Sequence, residues 1–253
     1  MDWSNLRDEL GCWEDQGLQA TFWWRDDDAI DISAAMEHLL GLVGSTGMPL
    51  TLAVIPADAC SRLAQRCERI SQVRVVQHGV SHLNHAARGE KKVELAPQRP
   101  WAEVAAQLKG GQHRLRSLFD LRALPVLVPP WNRIPPQFVG ELPVLGYRGL
   151  STFGPRQRAT PFPDLRQVNT HVDPIEWRGS RGFAGERFAL ESAVGHLRAR
   201  RLDSVDRSEP TGLLTHHLQH DEATWRFCER FLMETARHPA GRWLSASEVF
   251  GLA

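Results

Sequence analysis

The chain has 253 residues, with thirty lysines and arginines against thirty aspartates and glutamates, so no net field would draw it to nucleic acid or to an anionic membrane. Hydrophobic residues make up 42% and charged residues 24%, a balance that excludes a disordered or fibrous chain. One domain over residues 1–253 is expected, and no apolar stretch is long enough to span a bilayer.

The opening residues, Met1 to Leu10, are polar and acidic, with neither the basic start nor the apolar stretch of a secretion signal. A cytoplasmic location is expected. Cys12, Cys60, Cys67 and Cys228 form no CxxC pair, as expected of reduced packing thiols.

Strand-like runs lie at Leu18 to Trp24, Leu50 to Ile55, Val73 to Gln77, Pro125 to Val128, Tyr147 to Thr152, Arg166 to His171 and Gly212 to His216. Helical stripes fall between them: Met36, Leu39, Leu40 and Val43; then Trp101, Val104, Leu108, Leu115 and Leu118; later Trp225, Cys228 and Leu232. Such alternation predicts βα units around a parallel sheet, and its extent suits a barrel. Arg198, Arg200 and Arg201 read as a solvated helix end.

Chemistry-bearing residues follow the carboxyl ends of these strands, which in a parallel α/β protein share one face. Asp26, Asp27 and Asp28 end the first strand, and carboxylates so crowded repel unless a cation or proton relieves them. His78 and His82, four residues apart after the third strand, supply imidazole ligands. Two histidines and one aspartate make the three protein ligands of a catalytic site with a position left for water. One residue of the region serves to cap the next helix, with Asp28, Asp31 and Ser33 as candidates.

Four segments, and more weakly a fifth, resemble the polysaccharide deacetylases of carbohydrate esterase family 4, from Thr21 to His217. Thr21-Phe22 with Asp26-Asp27 resembles the first motif and implies that Asp26 is the general base and Asp27 a metal ligand. His78-Gly79-Val80-Ser81-His82 resembles the second, whose histidines complete the site. Val128-Pro129-Pro130-Trp131-Asn132 resembles the third, a turn lining the substrate groove, which assigns Pro130, Trp131 and Asn132 to substrate binding. Leu213-Leu214-Thr215-His216-His217 resembles the last and implies a catalytic histidine, His216 by the better register or His217. Asp173-Pro174-Ile175-Glu176-Trp177 resembles the fourth more weakly. It gives Glu176 or Asp173 the task of orienting that histidine and places Trp177 beside the substrate.

Two departures leave alternatives open. Asp28 stands where the family carries glycine, and a one-residue shift would make Asp27 the base and Asp28 the ligand. Val128 replaces the third-motif arginine that pairs with the base, leaving Arg25 or Arg133 to substitute. No role is assigned to His85 or to Arg88 through Glu94, and His220 and Asp221 read as a helix start.

The resemblance implies an α/β fold, a distorted TIM-like (β/α)7 barrel. It also implies a metal-dependent hydrolase of C–N bonds other than peptide bonds, removing an acetyl group from an N-acetylated sugar or polysaccharide. Zinc is the expected metal, with cobalt, nickel, iron and manganese also suited to such ligands. A small non-sugar amide or cyclic imide is the alternative substrate, and a non-catalytic binding protein the alternative function.

Overall fold

A computed structural model describes residues 1–252 of the chain. The strands are β1 (Ala20–Ala29), β2 (Leu50–Val54), β3 (Val73–His78), β4 (Ala123–Val128), β5 (Gly149–Leu150), β6 (Arg166–Gln167), β7 (Thr211–Thr215) and β8 (Gly241–Trp243). The helices are α1 (Trp3–Asp15), α2 (Ala34–Thr46), α3 (Ser61–Glu68), α4 (Trp101–Phe119), α5 (Pro136–Val139), α6 (Glu186–Arg201), α7 (Glu222–Arg237) and α8 (Ala246–Phe250).

All pairings between these strands are parallel, in the order β6-β5-β4-β3-β2-β1-β7, with β8 alongside the start of β1. Beyond β6 the chain stays extended: Val168 N–H donates to the Leu150 carbonyl and Thr170 N–H to that of Thr152. Val172 then bridges Leu213 of β7, so the sheet curls into a distorted (β/α) barrel whose seam is this short pairing. The seven predicted strands are present, β5 and β6 being shorter than expected. The eighth, Gly241–Trp243, is three residues long and too brief to show alternation.

Side-chain alternation along β1 divides the core. Phe22 and Trp24 face outward into the layer beneath α2, α6 and α7, whereas Trp23 points into the barrel with Ala53, Val76, Val126, Val128 and Val168. Phe250 of α8 meets Trp23 edge-on at 5.8 Å and plugs this interior from below. Gly212 leaves room for the Trp23 indole, whose Nε1–H donates to the Asn169 carbonyl at 2.9 Å.

The same alternation corrects the first-strand boundary. β1 does not stop at Trp24 but carries the acidic triplet inside it, paired with β7 through Asp26 and with β2 on its other side. A strand buried between two partners overrides the poor β-propensity of aspartate. A second correction concerns the arginine cluster. Arg200 is buried, bonding the Thr21 carbonyl and hydroxyl, and Arg198 and Arg201 pair with buried Glu9 of α1. Ser33 caps α2 and Asp221 caps α7. Cys67 and Cys228 are buried, and desolvation pushes the Cys67 thiol up to about 12. Among the described residues, no helix is long and apolar enough to cross a membrane.

Candidate metal-dependent active site

The strand ends open into a cavity of about 1050 Å³. Asp27, Asp28, His78, His82 and His216 line it from different parts of the chain. Five of the non-glycine residues with left-handed backbone, Asp28, His82, Trp131, Asn132 and Arg181, belong to the same cavity. Such conformations persist where surrounding structure over-determines them, and they concentrate at functional sites.

The three aspartates go three ways. Asp26 faces outward, fully buried, where Oδ1 meets His217 Nδ1 at 2.6 Å and Oδ2 accepts from the Thr215 hydroxyl and the His217 amide. Asp27 faces into the barrel, two residues along from Arg25 and on its side. Asp28 has φ 69°, and the pairing register with β2 shifts between Asp26 and Ala29. This bulge swings Asp28 out of the alternation and toward the histidines. The glycine that the resemblance expects here suits that backbone, which aspartate also tolerates.

Asp28 Oδ1 lies 3.1 Å from His78 Nε2 and 3.3 Å from His82 Nε2. His78 Nδ1 is 3.0 Å from the Val128 carbonyl, to which it can only donate, because the carbonyl has no proton to offer. In the neutral ring that fixes a bare lone pair on Nε2, aimed at a carboxylate oxygen, and two such acceptors repel unless a cation or a proton lies between them. Despite burial, the nearby Asp27 and Asp28 carboxylates hold the His78 pKa above its ordinary value. Burial keeps His82 below its own, in the neutral form a ligand requires. Asp28 is held well below the usual carboxylate range: burial opposes this, but the hydrogen bond and charge of His78 prevail.

A second cluster, His171, His196 and Glu209, also converges. Its chemistry differs, since His171 Nδ1 accepts the Gly212 amide proton at 3.0 Å, so its neutral ring carries a proton on Nε2 and offers no lone pair there. Burial also drives His171 down to about 3 and His196 to about 2, while Glu209 rises to about 7 and accepts the Arg156 and Asn169 amides. Of the two clusters, the one at Asp28 suits a divalent ion.

The Arg25 guanidinium grips Asp27 with both arms, Nε to Oδ1 at 2.8 Å and Nη2 to Oδ2 at 3.0 Å. Its other protons go to the Ser151 hydroxyl, the Thr152 carbonyl and Asn132 Oδ1. Of the two arginines considered as a carboxylate partner, Arg25 is the one in contact with an aspartate of the triplet. Arg133 does not reach the carboxylate; it donates to the Lys92 carbonyl at 2.7 Å and lines the cavity.

Five of the expected site residues take other places. Asp26 and His217 pair with each other behind the sheet and do not line the cavity. Asp27 is held by Arg25 while Asp28 joins the histidines, because the bulge moves the triplet by one position. Pro130 is buried against Gly79, beneath the histidine loop, and does not face substrate space. Glu176 is exposed and bonds Ser180, whereas Asp173 accepts the Trp177 indole proton at 2.7 Å. The Trp177 ring then meets His216 edge-on at 4.6 Å, and His216 Nε2 lies 4.0 Å from Asp27 Oδ2. Trp131 packs at 4.4 Å from His82, so Trp131, Asn132 and Trp177 do border the cavity.

One residue of the site has no signal in the sequence. Buried Glu94 accepts the Val80 amide at 2.9 Å and the Ser81 amide at 2.7 Å, clamping the loop that carries both histidines. Gly79, at φ 55°, lets the loop pass, since a Cβ there would collide with the Glu94 carboxylate and the Pro130 ring.

No protein-family model matches the chain, and no curated protein matches it by sequence. Solved structures do. A Streptococcus mutans esterase of carbohydrate esterase family 4 superposes with a TM-score of 0.61, 10% identity and coverage of 97% of this chain and 91% of that one. The fold is that of the polysaccharide deacetylases and esterases of this family. At such low identity the likeness is one of fold, and other matches agree with it. The Bc1960 peptidoglycan N-acetylglucosamine deacetylase gives 0.57 at 15% identity, covering 96% and 98% of the two chains. A Clostridium thermocellum acetyl xylan esterase, in complex with a cobalt ion, gives 0.54 at 12% identity, covering 92% and 91%.

Proposed function

We propose that this protein is a metal-dependent hydrolase that removes an acetyl or related acyl group from the nitrogen of an acylated sugar. The observation that carries the reading is the convergence of His78 Nε2 and His82 Nε2 on one oxygen of Asp28, with His78 Nδ1 anchored on the Val128 carbonyl. Asp28, His78 and His82 would hold the ion. A divalent cation there supplies Lewis acidity, lowering the pKa of water and polarising an acyl carbonyl.

The remaining steps belong to side chains. Asp27 is the general base that takes a proton from attacking water, with Arg25 keeping the carboxylate ionised and oriented. His216, across the cavity from Asp27, is the acid that gives a proton to the departing amine as the C–N bond breaks. Asp173 acts at one remove by fixing the Trp177 ring against His216. Deacetylases and an acetyl xylan esterase sharing the fold support this choice of reaction.

The test is metal analysis of the purified protein paired with turnover of N-acetylated sugars and small amides, including a cyclic imide. Loss of turnover on chelation and its return with zinc or cobalt is the expected result. Bound metal without turnover on any amide would make the protein a binding module instead.

A further inference from the structure

The metal cavity is ringed by cations that no acidic residue answers. Lys92, Arg133, Arg178 and Arg181 all line it, and none of the four has a salt-bridge partner among the described residues. The acidic groups of the cavity are engaged elsewhere: Asp27 by Arg25, Asp28 by two histidines, Asp173 by Trp177 and the Ile175 amide. A chain with zero formal charge does not place four unanswered cations around one opening through general basicity.

Arg133 is the most constrained of them. It is half-buried, and its Nη1 donates to the Lys92 carbonyl, a neutral acceptor that fixes the guanidinium without cancelling its charge. Burial of a charge is costly unless it is paired. Arg133 and Asn132 also line a second cavity, of about 510 Å³, which Lys91 borders, so Arg133 stands where the metal cavity meets a side pocket. The Lys92 ammonium lies 5.8 Å from the Trp131 ring, which itself packs on His82.

We infer that the substrate carries an anionic group, a carboxylate or a phosphate, which Arg133 and Lys92 hold at the mouth of the side pocket while its acyl group lies at the metal ligands. A planar guanidinium with free donors suits both anions by bidentate contact. Arg178 and Arg181, exposed at the same cavity, steer it in. This inference rests on the proposed acyl-sugar reading for the neutral part of the molecule.

The experiment is calorimetric titration of the full chain, zinc-loaded and zinc-depleted, with N-acetylglucosamine, N-acetylglucosamine 6-phosphate and N-acetylmuramic acid. At least one anionic probe should bind roughly tenfold or more tightly than the neutral sugar, the scale of a charge-assisted contact, with or without the metal. Which one does so distinguishes phosphate from carboxylate. Arg133→Gln should reduce the preference to about twofold with metal stoichiometry unchanged, and Lys92→Gln should flatten its dependence on salt. Equal binding of all three probes, or a preference that survives both substitutions together, would overturn the inference. Anion preference without turnover would instead count against hydrolysis alone, so the two readings fail separately.

Discussion

Arg25 and Asp27, two residues apart on one face of β1, form a bidentate ion pair within the barrel, and the family's usual arginine position is filled by apolar Val128. Carboxylate and partner therefore come from one strand, and alternation alone brings them together. Asp27→Asn should retain the metal and lower kcat by about 10²–10⁴, the usual contribution of a general base. Asp28→Asn should lose the metal, and with it turnover. Metal content and kcat measured on both variants decide the register; the opposite pattern would restore Asp27 as ligand.

His216 gives a second division. His216→Ala should lower turnover by about 10²–10⁴ without changing metal content, as expected for a general acid. Trp177→Phe keeps a ring edge against His216 while deleting the proton given to Asp173, so its loss should be smaller. Equal losses in the two variants would mean that Trp177 contacts substrate directly.

Asp26 and His217 act on stability. The His217 charge and hydrogen bond hold the Asp26 pKa below its ordinary value although burial opposes it, and Asp26 raises His217 against the same penalty. A lowered carboxylate contributes stability that is lost as pH falls through its folded value. A raised imidazole contributes stability that is complete below its unfolded value and lost as pH rises through the folded one. The pair is therefore most stabilising between the ordinary values of 3.8 and 6.5. Asp26→Asn should cost roughly 3–5 kcal/mol at pH 5, where it breaks a buried pair, and less at pH 9. Urea unfolding at the two pH values measures this, and an unchanged midpoint would show that the pair contributes nothing.

Parallel βα order was legible because buried strands and helical stripes each leave a period, and the convergence of His78 and His82 because two imidazoles four residues apart after a strand can share one side of a turn. The assignment within Asp26-Asp27-Asp28 was not. It depends on the strand running five residues past Trp24, which β2 and β7 dictate, and on a left-handed Asp28 whose bulge no propensity announces. His216 and His217 are likewise divided by alternation past β7, one toward the cavity and one toward Asp26. Buried Arg200 resembles Arg198 and Arg201 in sequence, and only the packing of α6 separates it from them.

Glu94 shows most plainly what spacing cannot reveal, being a single glutamate in a polar loop whose partners lie more than ten residues earlier. Its carboxylate replaces the ladder partners that the Val80 and Ser81 amides lose when β3 ends at His78. Glu94→Ala would leave two amides without an acceptor, at about 1–3 kcal/mol each, and would release the segment between the two histidine ligands. Metal affinity should fall about 10–100-fold, as for other groups that hold ligands in place, with kcat at saturating zinc largely restored. Glu94→Gln keeps an oxygen toward the amides and should recover part of the affinity. Competition of each variant against a zinc chelator measures the loss, and wild-type affinity in Glu94→Ala would show that the loop holds its shape without the clamp.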